Sequence, residues 1–286
     1  ALDAGDVDTP VAGLAVKDPT FGLDALWINA DTRSAALAAG YTVVDASTFL
    51  TEVIRGEGLA DRDLAAGEGD ARSIADLLTD QVEFADVILV NKTDLVNPAT
   101  LDTVETLLRR LNPSAKLIRT DHGVVDTSEV LGTGLFDPEA AASTPGWDEE
   151  IADGHTPETE EYGISSMTFR SDRPFHPLRL SQALGQVTRV LRSKGFCWIA
   201  SRPTIAAIWS QAGPNLVIEP AQYWSGTEIA AGQEIVFIGI KLDRDKVAEL
   251  LDAALLTDAE LADGPEAWRN YPDPLPAWAV PQQNSH

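Results

Sequence analysis

Short apolar runs alternate with apolar stripes at helical spacing along the first 120 residues. The clearest run covers residues 87–90, and the clearest stripe carries Leu101, Val104, Leu107, Leu108 and Leu111. The same pattern predicts strands at 25–28, 41–46 and 116–120 and helices at 31–40, 47–56 and 71–85. Continuously apolar strands separated by helices are typical of a parallel sheet covered on both faces, so this part is predicted to be α/β.

The pattern changes in the second half of the chain. Residues 121–160 are dominated by Gly, Pro, Asp and Glu, which predicts a linker. Beyond it, alternation predicts strands at 163–171, 196–201, 204–211, 215–220 and 234–240, with helices at 176–193 and 244–256. We therefore expect an α/β domain over 1–120, a linker over 121–160, and a small α+β domain with an irregular tail over 161–286.

Charge and composition narrow the classes of partner. The 286 residues include 45 acidic and 21 basic side chains, a formal net charge of −24. Such a chain repels phosphate backbones and anionic membranes, so we expect neither as a partner. The single cysteine, Cys197, excludes a disulfide within the chain and fits a reducing, cytoplasmic location. No stretch approaches the roughly 18 apolar residues of a membrane span, and neither export nor insertion is indicated.

The sharpest chemical signal is Asn91-Lys92-Thr93-Asp94, directly after the apolar run at 87–90. An Asn-Lys-x-Asp sequence at a strand end suits guanine recognition. The Asp accepts hydrogen bonds from the base, the Lys stem lies against the ring, and the Asn tethers neighbouring loops. A simpler interpretation stays open, because any strand needs a polar turn of this kind in order to end.

A nucleotide hydrolase of this type also needs a G-x-x-x-x-G-K-[ST] loop, whose backbone N–H groups hold the phosphates. No such loop occurs in the 286 residues. The Gly-rich segments at 56–58 and 67–70 carry acidic side chains that would repel a triphosphate. We therefore expect no GTP hydrolysis by one chain acting alone, and we assign no catalytic residue.

The sequence identifies no metal ligands. His122, His155 and His176 lack the close spacing of a preformed zinc site, and each is predicted to be structural. An alternative stays open, in which folding brings His155 and His176 together beside Glu158, Glu160 or Glu161 to form a metal site. Cys197 lies in an apolar run and is predicted to be a buried thiol. Phe175-His176-Pro177 predicts a strand-to-helix junction with Phe175 in the core, or a binding position at His176.

Several segments resemble the CobW-type family of GTP-dependent metal chaperones, in family order from about residue 42 onward. They include SIADLLTDQVEFADVILVNKTDLV, RRLNPSAKLIRTDHGVVD, RPFHPLRL and LRSKGFCWIASRP. The resemblance implies an incomplete P-loop-GTPase-like domain followed by a CobW-type C-terminal domain. It also implies a guanine-reading role for Asn91, Lys92 and Asp94, GTP or GDP with magnesium as cofactor, zinc as the metal, and a metal-receiving client protein. The family's phosphate loop and its Cys-x-Cys-Cys motif have no counterpart in this sequence.

Residues 18–50 are instead similar to the cytoplasmic part of the flagellar export-gate protein. One hypothesis covers both resemblances: a foreign strand-helix-strand replaces the start of the GTPase-like domain and joins it near YTVVD. The leading expectation is a CobW-type zinc chaperone with a guanine-binding motif. The alternative is a non-enzymatic module whose C-terminal sheet binds a partner protein.

Overall fold

The computed structural model describes residues 14–18, 23–27, 40–62, 72–130, 133–135, 162–226 and 230–278. Within these ranges, one compact unit draws on 1–52 and 77–146, and a second draws on 53–76 and 147–286. The predicted helix at 31–40 and most of the predicted linker lie outside the described residues. None of the helices in the described ranges is long and apolar enough to cross a membrane.

The first unit is built on a parallel three-stranded sheet. Its strands are β3 (Tyr41–Asp45), β4 (Val87–Asn91) and β5 (Lys116–Arg119), in the order β3-β4-β5. The chain passes between them through α1 (Phe49–Arg55), α2 (Ile74–Glu83) and α3 (Pro98–Leu111). All five residues of β4 are buried, as expected for a central parallel strand, and the predicted α/β architecture is confirmed.

Helix α3 follows its predicted stripe, and Asn112 fixes where it ends. Asn97 caps the first turn, its side chain accepting from the Thr100 N–H at 2.9 Å, and Pro98 occupies the first helical position. All five predicted apolar residues of the stripe are buried. The Asn112 amide, 2% exposed, donates to the Val82 and Ala85 carbonyl oxygens at 2.8 Å each, which ties the end of α3 to the end of α2.

An antiparallel hairpin precedes this sheet in sequence. Strand β1 (Leu14–Asp18) pairs with β2 (Leu23–Trp27), and together they form a separate two-stranded sheet. The sequence pattern predicted a strand near β2 but not its partner.

The second unit is an antiparallel sheet, as the alternating pattern predicts. Its strands are β6 (Ile164–Ser171), β7 (Val190–Trp198), β8 (Ile205–Ala212), β9 (Asn215–Tyr223) and β10 (Gln233–Ile240). Their order in the sheet is β6-β10-β7-β8-β9. Two longer helices, α4 (Pro177–Leu184) and α5 (Arg244–Ala254), complete the α+β unit.

Aromatic side chains from this sheet and from the turn before α4 form the core of the second unit. Phe169 and Phe175 stack with ring centroids 5.9 Å apart, and Trp209 meets Phe237 edge-on at 5.9 Å. The Trp209 indole N–H donates to the Ser193 hydroxyl at 2.8 Å, so the buried ring keeps a polar partner. Phe175 is fully buried, which confirms its predicted place in the core.

The predicted helix over 176–193 is wrong in its second half. Helix α4 begins at Pro177 as expected but ends at Leu184, and residues from Val190 onward form β7. Gly185 follows the helix, and Val187, Thr188 and Val190 are β-branched residues that favour a strand. Local propensity and sheet pairing therefore override an apolar spacing that also fits a helix.

The C-terminal tail is more regular than predicted. It contains two short helices, α6 (Asp258–Asp263) and α7 (Pro265–Trp268). Trp268 is buried against Trp198, and the Trp278 indole N–H donates to the Ile218 carbonyl oxygen at 2.9 Å. The tail therefore packs on the sheet through its tryptophans.

The domain bounds drawn from the sequence stay a prediction. The described start of the predicted linker is structured, however. It contains a 3-10 turn over Thr127–Glu129, and Val130 packs with Val43 and Leu89 of the first sheet.

One carboxylate, Glu260, joins α4 to α6. The Arg179 guanidinium donates to its two oxygens at 2.8 and 2.6 Å, and Thr257 donates through its backbone N–H and its hydroxyl at 2.8 and 3.0 Å. The Thr257 hydroxyl also accepts from the Glu260 N–H, which completes a capping box. The hydrogen bonds from Arg179, helped by those from Thr257, lower the pKa of Glu260 to about 2.

We expect Glu260→Gln to reduce the acid sensitivity of the second unit. Since the pKa is lower in the folded than in the unfolded protein, this stabilisation is complete above the ordinary value of 4.5 and is lost as pH falls towards 2. At pH 7, the free energy of unfolding of the variant should be about 1 kcal/mol lower than that of the parent. On acidification, the free energy of unfolding should fall less in the variant than in the parent. Urea unfolding followed by tryptophan fluorescence between pH 7 and pH 2.5 measures both.

Glu249→Gln provides the matched control, because the Glu249 side chain on α5 is 72% exposed. It should leave both the stability and the acid response unchanged. An acid response in Glu260→Gln equal to that of the parent would contradict the role assigned to Glu260.

Candidate nucleotide-binding site

The predicted guanine-reading residues lie at the carboxyl edge of the parallel sheet. Asp45 ends β3 and Asn91 ends β4, and the two are paired in register. Thr120 follows β5, and its N–H donates to the Val90 carbonyl oxygen at 2.8 Å. Polar residues therefore meet at the edge where ligands bind in open α/β sheets.

The buried amide of Asn91 ties the loop after β4 to the loop after β5. Its side-chain oxygen accepts from the Thr120 hydroxyl at 3.1 Å and from the Gly123 N–H at 3.0 Å. Asn91 is only 7% exposed, so these bonds satisfy an oxygen that has lost most of its contact with water. Gly123 has a φ of 69°, a left-handed conformation that suits glycine.

Lys92 forms an ion pair with a carboxylate at the end of the neighbouring strand. Its Nζ lies 2.7 Å from Oδ2 of Asp45, whose side chain is 2% exposed while that of Lys92 is 38% exposed. Asp45 also accepts from the N–H and the hydroxyl of Ser47 at 2.8 and 2.6 Å. Lys92 itself has a φ of 59°, where the strand turns sharply into the next segment. The pair fixes the ammonium group of Lys92, while the side chain as a whole stays partly exposed to solvent.

Asp94 lies in a 3-10 turn over Thr93–Leu95. Hydrogen bonds to the loop after β5 hold this turn in place. Oδ1 of Asp121 accepts from the Thr93 hydroxyl at 2.6 Å and from the Asp94 N–H at 3.1 Å. The hydrogen bond from Thr93, with that from Asp94 and the charge of His122, lowers the pKa of Asp121. Asp94 is exposed, so its carboxylate is open to a ligand from solvent.

This arrangement has the parts that guanine recognition requires. An exposed carboxylate can accept from the ring N–H and the exocyclic amine, the partly exposed Lys92 stem can lie against the base, and Asn91 holds both loops in place. The assignment of these three residues to base binding stays a prediction. The sequence reasoning did not single out Asp45 or Asp121. The signal for them was available, because each comes at or just after the end of a predicted strand, as Asn91 does.

The described residues bring together no group of three or more His, Cys, Asp or Glu side chains able to hold a metal ion. His155 and the glutamates at 158, 160 and 161 lie outside the described ranges. His176 directly precedes α4 and stacks on Tyr271 with ring centroids 4.8 Å apart, and burial together with the charge of Arg179 lowers its pKa. Cys197 is fully buried, which confirms the prediction of a core thiol, and burial raises its pKa to about 12.

Two family models match consecutive parts of the chain. Residues 12–119 match the CobW/HypB/UreG nucleotide-binding domain, and residues 164–255 match the cobalamin synthesis protein cobW C-terminal domain. The chain belongs to the CobW family. The resemblance to this family that the sequence showed from about residue 42 onward is confirmed. The matched region begins further upstream, at residue 12.

Relatives in the CobW family include proteins connected with zinc. The chain is 41% identical over 261 residues to the zinc-regulated GTPase metalloprotein activator 1 of Dictyostelium discoideum, covering 82% of this chain and 55% of that protein. It is 27% identical over 236 residues to a zinc chaperone of Mycobacterium tuberculosis, covering 73% and 56%. The chain thus spans about half the length of these relatives.

A solved structure and a flagellar protein also match. The zinc-bound YjiA GTPase of E. coli is 22% identical, with a TM-score of 0.35, over 75% of this chain and 60% of that one. A stretch of 50 residues, 18% of the chain, is 42% identical to the flagellar biosynthesis protein FlhA of Helicobacter pylori and covers 7% of that protein. The hybrid origin suggested for residues 18–50 stays a prediction.

We expect Asn91→Ala to loosen the loop after β5. Without the Asn91 oxygen, the Gly123 N–H loses its partner at a cost of about 1 kcal/mol, so its hydrogen exchange should accelerate about fivefold. Exchange measured by NMR at Gly123 tests this. Asn97→Ala is the control, since it removes only the cap of α3 and should leave Gly123 unchanged. Equal exchange at Gly123 in parent and Asn91→Ala would contradict the tether.

Proposed function

We propose that this chain takes part in guanine-nucleotide-dependent delivery of zinc to a client protein that receives the metal. The observation that carries the proposal is the edge formed by Asn91, Lys92 and Asp94, with two loops already joined around it. Membership of the CobW family and the names of the zinc-related relatives support it. A cytoplasmic location is part of the proposal, and the single, buried cysteine supports it because it leaves no disulfide within the chain.

In this proposal the three residues divide the work of recognising guanine. Asp94 accepts from the ring N–H and the exocyclic amine, both of which adenine lacks in that position. The Lys92 stem covers one face of the base, while Asp45 holds the Lys92 ammonium group in an ion pair. Asn91 ties the loop after β5 to the end of β4 through its bonds to Thr120 and Gly123.

Residues of this chain are assigned to base recognition and not to phosphate chemistry. Magnesium and the phosphate groups require a loop of the G-x-x-x-x-G-K-[ST] type, which the 286 residues do not contain. A bound nucleotide would supply the free energy of phosphate hydrolysis, and no side chain in the described ranges is assigned to that step. Zinc enters as cargo, and no ligand for it is assigned.

A second function, a non-enzymatic module that binds a partner protein, is favoured by the C-terminal sheet. Phe196 and Ile208 face each other across β7 and β8, and they are 36% and 40% exposed. Val217 on β9 is 38% exposed. Exposed apolar side chains on neighbouring strands suit a protein contact. This reading predicts no guanine nucleotide binding.

Titration with fluorescent GDP, alongside Asp94→Asn, tests the proposal. The parent should bind GDP, and Asp94→Asn should bind it at least tenfold more weakly, because an amide cannot accept from both guanine N–H donors. The variant should instead prefer xanthosine diphosphate, whose C2 carbonyl accepts from the new amide. The gain of xanthine binding shows that the variant is folded.

Asp102→Asn is the matched control, because Asp102 lies on α3 and its side chain is 36% exposed. It should bind GDP as the parent does. No GDP binding by the parent would overturn the proposal and favour the interaction module. Equal GDP binding by parent and Asp94→Asn would remove Asp94 from the site.

A further inference from the structure

A cleft of about 470 Å³ opens on the second unit. Its walls come from Ile54, from the turn before β7, from the β8–β9 turn and from the end of β10. Residues 53–76 belong to the same compact unit as the antiparallel sheet, so the whole cleft lies within that unit. Its size is in the range of pockets that hold small organic ligands.

The charge of this cleft is opposite to that of the chain. Arg189 and Lys241 are the charged side chains among its described lining residues, and none of those lining residues is a carboxylate. The chain as a whole carries 45 acidic and 21 basic residues, so the two cations of this cleft run against the overall charge balance. Within the described ranges, neither cation forms an ion pair, and the Arg189 guanidinium donates to the Lys241 carbonyl oxygen at 3.3 Å. Both charges therefore stay available to an anion.

Arg189 and Lys241 both have a backbone conformation that residues other than glycine rarely adopt. Arg189 has a φ of 66° and Lys241 a φ of 48°. The pairing of β10 with β7 shifts register between Ile238 and Gly239, and a β-carbon on Gly239 would lie 2.2 Å from the Arg189 carbonyl oxygen. Bulges and left-handed residues are concentrated at functional sites, where they re-aim side chains.

The rest of the cleft is largely apolar. Ile54 is 53% exposed on the C-terminal turn of α1, and Val187, Pro214 and Ile240 extend the apolar surface beside it. An exposed isoleucine beside two unpaired cations matches a ligand with one apolar part and one anionic end.

We propose that this cleft binds a small carboxylic acid with an apolar chain. The Arg189 guanidinium and the Lys241 ammonium hold the carboxylate, and Ile54, Val187 and Ile240 cover the chain. No residue of the candidate nucleotide site is involved, so the proposal stands or falls independently of GDP binding.

Octanoate, kept below the concentration at which it forms micelles, is the probe. Titration of the full chain, followed by NMR, should give saturable shifts of the amides of 187–191 and 240–241. The double variant Arg189→Gln/Lys241→Gln should bind octanoate at least tenfold more weakly. Ile54→Ser should also weaken binding, since it removes part of the apolar wall.

Two controls distinguish binding at this site from nonspecific electrostatic attraction and from nonspecific hydrophobic binding. Lys246→Gln/Arg269→Gln removes two cations that do not line the cleft and should bind octanoate as the parent does. Octanol has the same chain without the carboxylate and should bind the parent at least tenfold more weakly than octanoate.

Equal binding of octanol and octanoate would overturn the carboxylate site, as would equal octanoate binding by the parent and the Arg189→Gln/Lys241→Gln variant. Shifts that fail to saturate, or that fall on residues outside the cleft, would overturn it as well.

Discussion

The candidate site depends on the parallel pairing of β4 with β3 on one side and β5 on the other. This pairing buries β4 along its whole length and brings three strand ends to one edge. Asp45, Asn91 and Thr120 meet there only because the strands run in the same direction and in this register. A shift of β4 by one residue would turn Asn91 towards the opposite face and separate it from both loops.

The sequence was most informative where one local signal and the tertiary structure agree. The stripe of α3 is buried as predicted, because apolar residues at helical spacing form one face that packs against the core. The polar turn after β4 was found from the abrupt end of an apolar run. Asp45 and Asp121 were harder to find, since their importance arises from partners 47 and 28 residues away in sequence.

Prediction from the sequence failed where one segment fits both the periodicity of a helix and the periodicity of a strand. Residues 176–193 carry apolar side chains that suit a continuous helix, yet the chain leaves α4 at Gly185 and enters β7. Pairing of β7 with both β8 and β10 decides the outcome, and that pairing is invisible to a local window. The tail shows the same limit, because its short helices depend on contacts of Glu260 and Trp268 with distant residues.

The two loops at the sheet edge are tied in both directions, and this has a consequence for the thermodynamics of binding. Asn91 accepts from the loop after β5, and Asp121 in that loop accepts from the turn after Asn91. Neither loop then has to be ordered by an incoming base, so little conformational entropy is lost on association. Binding at this edge should therefore have a small heat-capacity change and a fast association rate, in the manner of a preformed surface that fits its ligand without rearrangement.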